Sequence, residues 1–351
     1  MKAVVELPVA RWWHPLRGDR IECWLCPRAC KLRDGQDGFC FSRGNRGGVM
    51  RLVAPGRSSG LAVDPIEKKP LVQFLPGTRV LSLGTVGCNL ACRFCQNWRI
   101  SRARVYTLAT EAVVPERIAA EAVRLGCRSV AFTYNDPVIF AEYALAVAAA
   151  CRAVGVHPVA VTAGYINPGP AAEFFVGMDA ANVDLKAFTE QFYRRQCGAR
   201  LGPVLDTLAW LHRETRVWLE VTTLLIPGLN ESEAELDRAS DWFAAHLGPD
   251  VPWHFSAFHP DYQLLDCPPT PPQTLLRARQ IAQSKGLRYV YTGNVRDRDG
   301  GRTWCPHCGR CVIDRDGYRL LACQVRAGRC EFCGGAVAGV FDDVESGGSE
   351  G

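Results

Sequence analysis

At 351 residues and 48% hydrophobic content, the chain is long enough for one barrel-sized domain with small appendages, and it can fill a core without external staples. The 41 basic and 36 acidic residues leave a net charge of +5 with no polybasic run, which does not point to nucleic acid. The longest apolar run, from Tyr143 to Val156, is broken by Arg152 and too short for a bilayer. The 17 cysteines gather in clusters with metal-ligand spacing, which indicates metal sites in a reducing cytoplasm, and the N-terminus lacks a signal-peptide core.

The first cluster, Cys23, Cys26, Cys30 and Cys40, reads C-x2-C-x3-C-x9-C within a segment rich in glycine and charge. Such a segment has little core of its own. A metal supplies the missing folding energy, on the order of 10–16 kcal/mol for structural zinc in small peptides. Zinc and an auxiliary iron–sulfur cluster both accept four thiolates, so the spacing leaves both open. The stretch 64–74, D-P-I-E-K-K-P-L-V-Q-F, leads in to the first strand of the main domain. Its Lys68 and Lys69 read as a solvated turn or, from their position, as neighbours of an active-site mouth.

Residues 79–85 read as a buried strand, and G-C-N-L-A-C-R-F-C-Q-N-W follows at 87–98. Its Cys88, Cys92 and Cys95 are spaced C-x3-C-x2-C. Three thiolates on one short loop bind three corners of a four-iron cluster and leave one iron open for chemistry. A zinc loop or three buried thiols is the bland alternative, over which the spacing alone already favours the cluster. The preceding strand and the Gly87 turn strengthen the cluster reading.

At these residues the chain resembles the radical S-adenosylmethionine (SAM) superfamily. The resemblance implies that the SAM amino and carboxylate groups chelate the open iron of a 4Fe-4S cluster. It further implies that one electron cleaves SAM to a 5′-deoxyadenosyl radical that abstracts hydrogen from substrate, and that Phe94 lies near the adenine.

Helices are predicted over 115–125, 137–154, 170–176, 189–196, 203–214, 231–246 and 272–285, with Asn230 near the cap of the sixth. Strands are predicted over 129–133, 158–162, 181–185, 216–225, 253–258 and 289–292. Six strand–helix units fit before Phe258, which suits an α/β fold built on an open, partial (β/α)6 barrel, also implied by the resemblance. Barrel chemistry sits at the carboxyl ends of strands. At the second stand Asn135 and Asp136, which serve equally as helix caps or as acceptors for the SAM ammonium. Thr162 closes the third and can contact the ribose. Asp184 and Lys186 form an ionisable pair at the end of the fourth. Glu220, Thr222, His254, Ser256 and His259 are further candidates; a lone histidine there is as often a core hydrogen-bonder as a catalyst.

Near the carboxyl end, Cys305, Cys308, Cys330 and Cys333 form two matched C-x2-C-G knuckles around a short hairpin, which assigns them to structural zinc. Cys311 and Cys323 are spare thiols, and Cys127, Cys151, Cys197 and Cys267 are isolated and buried or inert. The expected organisation is a cysteine-rich metal-binding segment at 1–60, the barrel at 61–300, a zinc-ribbon-like module at 301–344 and a disordered tail at 345–351.

The order of C-x2-C-P, D-P-I-E-K-K-P, the cysteine loop, T-Y-N-D-P and a C-x2-C-G ribbon resembles the radical SAM member of the AmmeMemoRadiSam system, a branch similar to pyruvate formate-lyase activating enzymes. That resemblance implies Memo-like and AMMECR1-like partners, an electron donor such as flavodoxin or ferredoxin, and a cytoplasmic enzyme whose substrate it does not identify. Activation of a glycyl-radical enzyme, or a non-catalytic metal scaffold, are the alternatives.

Overall fold

The computed structural model describes residues 7–53, 55–104 and 112–341. The expected tail at 345–351 lies outside them.

The central sheet has eight strands hydrogen-bonded in chain order: Leu61–Pro65, Arg79–Leu83, Ser129–Phe132, His157–Thr162, Ala180–Asp184, Trp218–Leu225, Trp253–Ala257 and Val290–Gly293. The last seven are parallel; Leu61–Pro65 runs antiparallel to Arg79–Leu83, with Leu61 opposite Leu83 and Pro65 opposite Arg79. The two edge strands do not pair with each other, so the barrel is open. Parallel strands covered on both faces read as near-continuous apolar runs. Ser129–Phe132, buried at every position, is the plainest case. The antiparallel strand escapes the sequence reading because Asp64 and Pro65 end it, and proline in a strand is tolerated at an edge.

Helices fill the crossovers. Pro115–Arg124 starts on its proline and turns Ile118, Ala119 and Ala122 inward. The predicted helix 137–154 begins instead as a 3-10 turn, Pro137–Phe140, because Asp136 caps it by accepting from the Val138 N–H at 3.1 Å; Ala141–Ala153 then continues as α-helix. The helix Glu233–Leu247 is capped by Ser232, whose hydroxyl accepts from the Glu235 N–H, and not by Asn230. The Asn230 amide accepts from the Ile226 N–H and donates to the carbonyls of Lys186 and Leu224, tying two strand ends together.

The stretch after the antiparallel strand closes the barrel floor. Leu71, Phe74 and Leu75 are buried beneath Val80, Ala131, Val159 and Ala180. This corrects the solvated reading for Lys69 alone. Lys69 is 4% exposed and donates to Asp64 at 2.7 Å, while half-exposed Lys68 holds the other Asp64 oxygen at 2.8 Å. Glu220 accepts from the Val72 and Gln73 N–H groups and from Trp218, and pairs with His254 at 2.7 Å, so these two candidates belong to the floor.

The carboxyl-terminal module docks on the same plug. Arg315, 2% exposed, donates to the Val72 carbonyl and the Thr303 hydroxyl; Gln73 donates to the Ala338 carbonyl at 2.6 Å, and Leu75 to Val340. The amino-terminal segment forms a three-stranded sheet, Trp13–Pro15, Ile21–Cys23 and Lys31–Leu32, and a hairpin, Arg43–Arg46 with Val49–Leu52. It is fixed to the barrel by buried Arg43, whose guanidinium grips Glu142 of a barrel helix at 2.7 and 2.9 Å.

Candidate active site and cysteine centres

Leu83 ends the first parallel strand, and the chain turns at Gly87 (φ +87°) into the cysteine loop. Asn135, from the end of the next strand, holds that turn. Its amide accepts from the Thr85 N–H at 3.0 Å and donates to the Thr85 hydroxyl at 3.0 Å and the Gly87 carbonyl at 2.9 Å. Both amide hydrogens are thereby used, so Asn135 offers a ligand one oxygen lone pair. A second clamp comes from Ala91 and Arg93, whose N–H groups bond the carbonyls of Cys197 and Gln196 at 2.8 Å.

Cys88, Cys92, Cys95 and Phe94 line one cavity of about 270 Å³ at the carboxyl ends of the strands, together with Asn135, Asp136, Thr162, Asp184 and Lys186. Thr222 and Ser256 also reach it. His259 stands outside, bonded to Gln96 of the loop at 3.0 Å. Burial pushes the Cys88 thiol up to about 12 and raises Cys95 as well; Cys92 is raised by its contact with the Cys197 thiol and by burial. Without metal these sulfurs keep their protons, so loading a metal releases them.

Around the thiols the cavity carries both signs of charge. Asp136 accepts from the Thr162 hydroxyl at 2.9 Å and from the Ala163 N–H, and burial raises its carboxyl to about 6. Lys186 pairs with Asp184 at 2.9 Å. Burial works against the Lys186 charge, but the Asp184 carboxylate beside it outweighs that and holds the ammonium well above its ordinary value. The buried Thr222 hydroxyl has no hydrogen-bond partner among the described residues, which suits it to a ligand. Three thiols on one wall suit three corners of a four-iron cluster. An anionic and a cationic group beside them suit the ammonium and carboxylate of an amino acid.

Several members of the site are not singled out as site residues from the sequence. Cys197, read there as an isolated thiol, is fully buried against Cys92 at the end of a π turn, Tyr193–Cys197. Ser101 lies 3.7 Å from the Cys95 sulfur. Tyr134 (φ +72°) lines the cavity above buried Lys69, whose ammonium is 5.2 Å from its ring.

The carboxyl-terminal quartet is compact: Cys305 and Cys333 sulfurs are 3.6 Å apart, Cys308 and Cys330 3.9 Å, and all four lie within 4.8 Å of one another. Gly309 and Gly334, both at positive φ, close the knuckles by donating to the Cys305 and Cys330 carbonyls. These four residues can hold a metal ion. Among the described residues no helix is long and apolar enough to cross a membrane.

Comparison with known proteins agrees with this geometry. Residues 82–239 match the family described as the Radical SAM superfamily. An uncharacterized protein of Methanocaldococcus jannaschii is 39% identical over 327 residues, 93% of this chain and 97% of that protein. The benzylsuccinate synthase activating enzyme of Thauera aromatica is 24% identical over 300 residues, 80% of this chain and 87% of that enzyme. A solved radical SAM methyltransferase from Sphaerobacter thermophilus shares the fold with a TM-score of 0.51 at 14% identity, over 63% of this chain and 68% of its own.

Proposed function

Since the chain belongs to the radical SAM superfamily and is an enzyme, we propose that it generates a 5′-deoxyadenosyl radical and uses it on a substrate entering at the carboxyl ends of the strands. A 4Fe-4S cluster and SAM, when bound, supply the electron and the radical that takes a hydrogen atom. The single observation that carries the reading is the shared cavity: Cys88, Cys92 and Cys95 open onto the same space as Asp136, Thr162, Asp184 and Lys186.

The chain's own residues divide the work. The three thiolates hold the cluster, and Asn135 fixes their loop. At neutral pH Asp136 is ionised and accepts the SAM ammonium, with Thr162 beside it for the ribose. Lys186 stands at the Cys92 side, where its charge offsets that of the thiolates. Phe94, 4% exposed and packed on Phe192 at 5.7 Å, gives the adenine an apolar wall.

The carboxyl-terminal quartet is assigned to structural zinc, whose sulfur spacing it matches. Its binding energy holds the module against the barrel plug. Memo-like and AMMECR1-like proteins, a flavodoxin or ferredoxin donor and a cytoplasmic location belong to this reading through the motif resemblance. A second reading, activation of a glycyl-radical enzyme, is favoured by the similarity to the Thauera activating enzyme over most of both chains. A glycyl radical appearing by electron paramagnetic resonance in an added glycyl-radical enzyme distinguishes it.

The test of the common step is anaerobic reconstitution with ferrous iron and sulfide, reduction with dithionite and addition of SAM. Wild-type protein releases 5′-deoxyadenosine and methionine, and Cys92→Ala releases neither. A fully loaded wild type that leaves SAM intact refutes the proposal.

A further inference from the structure

The amino-terminal thiols Cys23, Cys26, Cys30 and Cys40 are brought to one place by the small sheet and hairpin docked on the barrel. The Cys23 N–H bonds the Cys30 carbonyl at 3.0 Å, and all four cysteines line one small cavity of about 20 Å³ closed by Asn89 and Val138 of the barrel. Gly38 borders it: a Cβ there would lie 3.9 Å from the Cys40 sulfur and 4.0 Å from the Cys30 sulfur. The tightest neighbour of such a Cβ would be the Arg43 carbonyl oxygen at 3.3 Å, so the backbone itself packs close to the sulfurs here.

The chain carries its own standard for zinc. In a tetrahedral site each sulfur lies about 2.3 Å from the metal, which puts sulfurs about 3.8 Å apart and leaves no room for a water-sized body among them. The Cys305 quartet has that spacing. Among the described residues it is the group of three or more such ligands drawn within 4.8 Å, and no three of the amino-terminal sulfurs are so close. The Cys88, Cys92 and Cys95 sulfurs are likewise too widely set. Thiolates that ligate four irons instead of one stand further apart, because each binds a different corner of the cube. By both the wider spacing and the enclosed space, the amino-terminal quartet falls with the iron–sulfur loop.

We propose that Cys23, Cys26, Cys30 and Cys40 hold a second 4Fe-4S cluster, ligated at every iron by protein, and not zinc. A cube with no open corner binds no substrate, so its use is to carry an electron. Its seat favours that use. Cys88 faces the active-site cavity and its neighbour Asn89 faces the amino-terminal one. Gly87 is pressed against the Cys40 carbonyl so closely that a Cβ would fall 1.8 Å from the oxygen. The Ser42 hydroxyl donates to the Val86 carbonyl at 3.0 Å, and Arg28 donates to the carbonyls of Asn89 and Gly198, which locks the two cysteine segments together. The second cluster gives one electron to the loop's cluster, becoming oxidised as the other is reduced, and regains it from an external one-electron donor of the ferredoxin or flavodoxin class.

The test uses the full chain, reconstituted anaerobically with ferrous iron and sulfide in the presence of zinc. The variant Cys88→Ala/Cys92→Ala/Cys95→Ala retains about four iron and four sulfide per chain and a reducible paramagnetic signal. The variant Cys26→Ala/Cys30→Ala, loaded alongside, loses about the same amount of iron relative to wild type and keeps its zinc. The reduced wild-type spectrum is broadened relative to the sum of the two variants, because the segments that carry the two sets of thiols pack directly on each other. Iron in the triple variant below one per chain with a second zinc in its place overturns the assignment. That result leaves the active-site reading intact, since 5′-deoxyadenosine formation by wild type tests it separately. A wild-type spectrum that is the simple sum of its parts overturns the electron route.

Discussion

Replacing Asn135 with alanine separates a residue that binds SAM from one that positions the cysteine loop. The substitution deletes three buried hydrogen bonds of 2.9 to 3.0 Å and strands two groups that cannot turn to other partners, the Thr85 N–H and the Gly87 carbonyl. The Thr85 hydroxyl can rotate and is discounted. Each stranded buried group costs about 1–3 kcal/mol, so the pair costs about 2–6 kcal/mol, a large part of the roughly 5–15 kcal/mol that holds a domain folded. Urea unfolding of the metal-free protein reads this loss as a lower midpoint at unchanged slope. Iron retained after reconstitution falls with it, since the turn presenting Cys88 is no longer held. Two results refute the reasoning: a stability loss under about 0.5 kcal/mol, which is the size of an ordinary surface change, or unchanged stability and iron with SAM binding abolished.

Other consequences are as definite. Cys197→Ala leaves iron content unchanged, because Cys197 neighbours Cys92 as a buried thiol; a loss of iron makes it a ligand. Asp64, although burial opposes its charge, is held down to about 2 by Lys68 and Lys69, from an ordinary 3.8. Its depressed value means that its contribution is present above pH 4 and lost as pH falls toward 2. It amounts to about 2 kcal/mol and is absent from Asp64→Asn in a series of urea midpoints against pH. Cys308→Ser removes one zinc per chain and exposes the Val72 and Gln73 amides of the plug to hydrogen exchange, while residues of the Trp218–Leu225 strand stay protected.

Much of this molecule is legible in one dimension. Parallel strands buried on both faces leave apolar runs, and proline at the first turn marks helices such as Pro115–Arg124 and Pro272–Ser284. The cysteine loop is legible because a short loop must supply its ligands from adjacent positions. The misreadings have physical causes. Asn230 and Ser232 are both cap formers two residues apart, and which one caps is decided by whether Asn230 finds the strand-end carbonyls of Lys186 and Leu224. Lys69 reads as solvated because charge in a turn usually is. Lys69 is buried because Asp64, on a strand the sequence hides, meets its ammonium.

By itself, then, the sequence determined the grouping of the cysteines and the order of strands and helices, since both are written in local spacing and periodicity. Tertiary structure decided what stands beside what: Cys197 against Cys92, Asn135 under Gly87, Glu220 in the floor instead of the mouth. It also decided how widely each set of sulfurs is held. Spacing along the chain limits that distance but does not fix it, because the metal each cluster of thiols accepts depends on how the surrounding backbone packs.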